Sequence, residues 1–174
     1  MTSRGTLVSL VFCALASTAA PAGAQTAGVW KVDSLRGKAG AGHTALLTIH
    51  SEEPIDGWPG GFVPTLGIKC VDHVRSIFVV TGLPTKPEAG KDRHFSIFYR
   101  LNDDSRIDEV WGQATNSDTL VASDPAALAQ KLLKYERLRF GFTPDHSSRM
   151  ILEFPLAGLD KAMTKVPAQC GSPR

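Results

Sequence analysis

The sequence predicts a mainly β chain: an antiparallel β-sandwich or barrel-like domain with one or two packed α-helices. Three observations carry that expectation. Short segments alternate apolar and polar residues, and clusters of Gly, Pro, Asn and Asp separate them. Helical signals come late in the chain. No internal repeat is present. A run of short strands with a helix to cover them makes a layered domain, and 174 residues, 43% of them hydrophobic, are enough for one core.

The elements follow in order. Residues 29–33 alternate as a half-buried strand does, and 34–42, with three glycines and two cations, read as a flexible loop. Residues 44–50 form a second strand, with Leu47 and Ile49 on one face and Leu46 and Thr48 on the other. Residues 52–64 are rich in turn formers, and Pro64 biases Val63 towards an extended backbone. Trp58 and Phe62 sit inside that loop, as a contact pair or folded back onto the sheet edge.

Residues 65–71 and 74–81, joined by Asp72-His73, read as an antiparallel hairpin. Residues 82–93 are a charged loop with two prolines. Residues 94–101 place Phe95, Ile97, Tyr99 and Leu101 on one face and Ser96, Phe98 and Arg100 on the other. Residues 102–105 make an Asx-rich turn, 106–113 return as a strand containing Trp111, and 119–122 form a short one.

Asp124-Pro125 opens a helix, as N-cap and first helical residue. Leu128, Ala129, Leu132 and Leu133 share its inward face; Gln130, Lys131 and Lys134 face away. Residues 138–142 and 150–154 read as a second hairpin, joined by loop 143–148. Residues 158–166 read as a short helix with Leu159, Ala162, Met163 and Val166 inward.

Compartment is read from the start of the chain and from its cysteines. A short basic start at Arg4, an apolar stretch over 7–16 and Ala22-Gly-Ala24 make a signal peptide over residues 1–24, followed by a single domain over 25–174. The apolar stretch is shorter than the ~20 residues a membrane span needs, so no span is expected after the signal is removed. Cys13 leaves with the signal. Cys70 and Cys170 remain, and an even number in an exported chain is read as a disulfide. The expected location is periplasmic or secreted, in a bacterium. Losing residues 1–24 removes one arginine, leaving 18 basic and 17 acidic residues. A net charge of +1 with dispersed cations gives no field suited to nucleic acid.

Several segments then line up with one family. Leu66-Gly-Ile-Lys-Cys70 resembles its L-x-[IV]-[RK]-C strand, and Tyr99-Arg100 followed by Asp103-Asp104 its Y-R-[IVF]-D-D-G segment. Trp111 stands where the family has a tryptophan. Residues 126–142, 152–162 and 168–171 resemble its helix-plus-strand element and closing motifs. In this chain the turn carries an additional Asn102 and no glycine. The chain thus resembles the VasI/TagO-like periplasmic accessory proteins of type VI secretion gene clusters, over about residues 30–171. The resemblance implies an exported β-rich fold with one disulfide. It implies no particular reaction.

Candidate sites are few. Arg100, Asp103, Asp104 and Asp108 are the densest charged cluster. The guanidinium could grip a carboxylate or phosphate, or Arg100 could pair with Asp103 or Asp104 to pin the turn. The histidines His43, His50, His73, His94 and His146 lack the spacing of metal ligands, and no serine has a G-x-S-x-G context. No catalytic residue, metal or cofactor is expected. The reading is a non-enzymatic binding or accessory module acting by protein contact, with an envelope or secretion-apparatus protein as partner. Trp58 and Phe62, with Arg100, Asp103, Asp104 and Trp111, are the expected surface. A small peptidoglycan-directed enzyme, or an inhibitor presenting loop 143–148, is the alternative.

Overall fold

The structure is a computed structural model that describes residues 29–36, 43–55, 61–90, 93–115, 118–166 and 170. The expected signal peptide lies outside the described residues, as does Trp58. Nine strands run in chain order with two helices. They are β1 Lys31–Arg36, β2 His43–His50, β3 Thr65–Val71, β4 Val74–Val80, β5 Phe95–Leu101, β6 Ile107–Gln113, β7 Thr119–Val121, β8 Arg137–Phe142 and β9 Met150–Pro155. Helix α1, Pro125–Leu132, lies between β7 and β8, and α2, Leu159–Met163, follows β9.

All pairings are antiparallel, and the spatial order is β1-β2-β3-β4-β7-β6-β5-β8-β9. The first four strands form a meander in which each pairs with the next. β7 then slots between β4 and β6, joining Phe78 to Val121 on one side and Val121 to Gly112 on the other. The mainly β class expected from the alternation is what the chain adopts. The sheet does not close into a barrel, because β1 and β9 remain edges. It doubles over instead, so that β2 and β9 come into contact and the Glu52 N–H, just past β2, donates to the Glu153 carbonyl at 2.8 Å.

One core fills the fold. It joins Leu47, Leu66 and Ile77 of the meander to Tyr99, Phe140 and Phe154 of the later strands. Each such side chain, fully buried, stabilises by about 1.5–3 kcal/mol relative to exposure. The two-residue period decides which residues enter: Phe95, Ile97, Tyr99 and Leu101 of β5 are buried, while Ser96, Phe98 and Arg100 point outward. In two places a glycine stands directly across from an outward aromatic. Gly67 pairs with Phe78 and Gly141 with Phe98. A Cβ at Gly141 would lie 2.0 Å from the Phe98 ring, and one at Gly67 would lie 2.1 Å from Phe78. The rings occupy the space the missing side chains leave.

Helix α1 starts as expected: Asp124 accepts from the Ala127 N–H at 2.9 Å, and Pro125 opens the first turn. Leu128, Ala129 and Leu132 are buried where the helix packs against β4. Leu133, expected on that face, is 36% exposed because the helix ends at Leu132 and leaves it as the cap residue. A second correction concerns Ser34, Leu35 and Arg36, expected in a loop. They extend β1, paired with Ala45, Thr44 and His43, because pairing along β2 outweighs the glycines that begin at residue 37.

Cys70 and Cys170 are bonded, with Cα atoms 6.0 Å apart. Both are buried and pack with Ala45 in a small cluster of their own, and Val166 packs against both it and the main core. Arg75, on β4 across from Cys70, donates to the Cys170 carbonyl at 2.7 Å. The bridge ties the end of β3 to residue 170 as the cysteine count predicts.

Candidate functional site: an arginine-rimmed groove

The same alternation that buries Tyr99 turns Phe98 and Arg100 to the outer face of β5. Next to them β8 presents Arg137 and Arg139, and beyond it β9 presents Ile151 and Glu153. Arg106 enters from the turn before β6 and Arg149 from the residue before β9. Facing this sheet across a gap stand Glu52, Glu53, Pro54 and Ile55. The gap is a solvent-open groove of about 880 Å³.

Phe98 organises its floor. Its ring lies over Gly141, the Arg106 guanidinium carbon is 4.1 Å from the ring centre, and that of Arg149 is 5.4 Å away. Both distances are in cation–π range. The guanidiniums differ in what else they hold. Arg106 is paired with Asp108. Arg139 donates to Glu153 at 2.8 Å and stands 3.8 Å from Asp103. Among the described residues the Arg100 side chain makes no hydrogen bond or ion pair, and that of Arg149 has only the Phe98 ring. The groove therefore carries two committed and two uncommitted guanidiniums. Their planar N–H forks suit carboxylates in two-point contact.

The turn beside the groove is not held as the sequence suggested. Arg100 does not pin it. Asn102, at φ 47°, turns its side-chain oxygen to the backbone N–H groups of Glu136 at 3.2 Å and Arg137 at 3.0 Å. The additional asparagine thus ties the β5–β6 turn to the start of β8, and it tolerates the left-handed backbone better than most residues. Asp103 is fully solvent-facing apart from its approach to Arg139, its side chain being 99% exposed. Asp104 accepts from the exposed Tyr135 hydroxyl, and that bond holds the phenol above its ordinary range.

Beneath the sheet lies a polar chain that the sequence did not reveal. Tyr99, 1% exposed, donates to Glu109 at 2.8 Å and accepts from the Lys131 ammonium at 2.9 Å; Glu109 also accepts from the Trp111 indole at 3.0 Å. Burial raises the Tyr99 pKa, opposed by the bond from Lys131. The bond to Tyr99 raises that of Lys131. Lys131 was expected to face away from the fold. Its long stem instead carries the ammonium back to β5, satisfying a phenol that would otherwise be buried with one partner.

Of the predicted surface, Arg100 lines the groove, while Asp103 and Asp104 sit at its turn. Trp111 is 1% exposed, paired with Phe95 of β5 and in tilted ring contact with Phe140, so its ring belongs to the core and offers no contact surface. Phe62 folds onto the sheet: it bridges to Ile55 and its ring fills the space above Gly82. Phe98, Arg106, Arg139 and Arg149 were missed. Phe98 was visible as an aromatic on the polar face of a strand; Arg149, in a loop 51 positions later, gave no local signal.

Among the described residues no three His, Cys, Asp or Glu side chains gather as metal ligands, and no helix is long and apolar enough to cross a membrane. No family model matches the chain, and no curated protein matches it in sequence. Among solved structures it is similar to the crystal structure of invasion associated protein b from Bartonella henselae, at 12% identity and a TM-score of 0.49, covering 81% of this chain and 93% of that one.

Proposed function

We propose that the chain is an exported accessory module of the bacterial envelope that works by protein contact rather than catalysis, of the kind its resemblance to VasI/TagO-like proteins implies. The observation that carries this reading is the Phe98 groove. An aromatic ring and uncommitted guanidiniums share one solvent-facing surface, and these residue types dominate protein contacts. The buried Cys70–Cys170 bridge supports export, since such bonds persist in oxidising compartments. The partner is an envelope protein, and the type VI apparatus is the assembly the motifs suggest.

The test is made in the native host. Deleting the gene should impair type VI-dependent killing of competitor cells, and photo-crosslinkers on the exported protein should trap an envelope protein. Hydrolysis of cell-wall fragments by the purified mature domain, abolished by Arg100→Ala, would replace this reading with an enzymatic one.

A further inference from the structure

The groove has a second property, which comes from strand geometry. In an antiparallel ladder the backbone groups of alternate residues point to opposite sides. The Glu153 carbonyl accepts from Glu52, so it points away from β8, towards the open side of β9. Two residues earlier, Ile151 has the same orientation. Its register partner on β8 is Gly141, and its N–H and C=O point away from β8 to the open side of β9, where Ile151 lines the groove. Among the described residues no backbone bond reaches them. The facing wall does not continue the ladder begun at Glu52: Pro54 has no N–H to give and the Ile55 N–H already donates to Phe62. The Ile151 side chain is 57% exposed at the same spot.

We infer that the β9 edge at Ile151 accepts an extended acidic peptide segment of the partner protein as an added strand, its carboxylates held by Arg100 and Arg149. This rests on the binding-module reading and names the chemistry of its partner. Backbone bonds to Ile151 supply the pairing, and alternate side chains of the segment reach the outer face. There an acidic residue meets Arg149, beside β9, and the long side chain of Arg100, which reaches over β8 from β5, and an apolar one meets Ile151. Glu52 and Glu53 on the opposite wall fix the order of charges: the segment's acids must lie on the sheet side. An anionic polysaccharide could meet the arginines but offers no peptide N–H and C=O at strand spacing, so the open edge favours a polypeptide.

The experiment uses the full exported chain and a capped peptide with serine at every second position and glutamate and valine taking turns at the others, so that both share one strand face, with the same peptide carrying lysine for glutamate and polygalacturonate as comparisons. The acidic peptide should bind, slow hydrogen exchange at the Ile151 amide, and be displaced by salt. Arg100→Glu with Arg149→Glu should weaken it by about tenfold or more, the scale of a lost charge-assisted pair. Ile151→Pro is the sharper variant. The Ile151 N–H makes no bond to β8, so proline is tolerated there as on other edge strands, yet an added strand loses its donor. Unchanged affinity in the proline variant, equal binding of the lysine peptide, or tighter binding of polygalacturonate would overturn the inference. Photo-crosslinkers at Ile151 and Val63 in the host separate the two levels. Partner capture only through Val63 sinks the edge proposal and leaves the accessory role standing, whereas capture at neither position sinks the accessory role.

Discussion

Asn102 serves two backbone donors on another strand while holding a backbone that most residues resist. Replacing it with alanine removes the oxygen that accepts from both donors and adds strain at φ 47°. We expect Asn102→Ala to cost about 1–3 kcal/mol, and Asn102→Asp, which keeps an accepting oxygen, to retain most of the stability, as chemical denaturation will read. Gly141 is the other position where one atom decides the local structure. A methyl group there must push the Phe98 ring off the strand. Gly141→Ala should cost about 1–3 kcal/mol through overpacking. It should also release Arg106 and Arg149 from the ring, visible as altered guanidinium resonances. The sequence marked residues 102–105 as a turn because Asx chemistry is local. It did not show which N–H groups Asn102 would reach, because those lie 34 and 35 positions away.

Helix α1 shows the same boundary between near and far. Its start was legible because Asp124 and Pro125 act on the next turn. The fate of Lys131 was not, since Tyr99 arrives from a strand 32 residues earlier. The Lys131–Tyr99–Glu109–Trp111 chain joins the helix to β5 and β6, and it predicts how stability responds to alkali. Lys131 has a raised pKa in the fold, so its contribution is complete below its ordinary value and lost as pH rises through the raised one. Tyr99 is also raised: above its ordinary value the unfolded chain loses a proton that the fold retains, which favours unfolding. Both signs agree. Stability should stay level up to about pH 9 and fall beyond about pH 10, and Tyr99→Phe should flatten that fall. Urea melts from neutral to alkaline pH will check it. Tyr99→Phe should itself cost about 1–3 kcal/mol at neutral pH, through the loss of two hydrogen bonds to charged groups.

Across the whole molecule, the β class, the strand count and the disulfide were readable because each leaves a periodic or countable trace. The spatial order was not. Nothing in residues 119–122 announced that β7 would lodge between β4 and β6, or that the sheet would fold over so that Glu52 meets Glu153. The groove inherits that opacity, since its walls come from strands that only the fold-over brings together. Openness of the sheet, left undecided between sandwich and barrel, depends on whether β1 meets β9, which no local pattern records. The bridge acts at this scale. It closes a separation of 100 residues, and Cys70→Ser with Cys170→Ser should cost about 2–5 kcal/mol, measured as the shift in denaturation midpoint.

The position of that bridge also governs what happens when a protease cuts the chain. Exposed residues 145–149 between β8 and β9 offer the kind of loop tip that is nicked first. A cut there falls between the two joined sulfurs, so neither piece can diffuse away. The nicked molecule should run as a single band on a gel without reductant and as two bands with it. Damage at that loop would be invisible to any assay that reads only the size of the unreduced molecule.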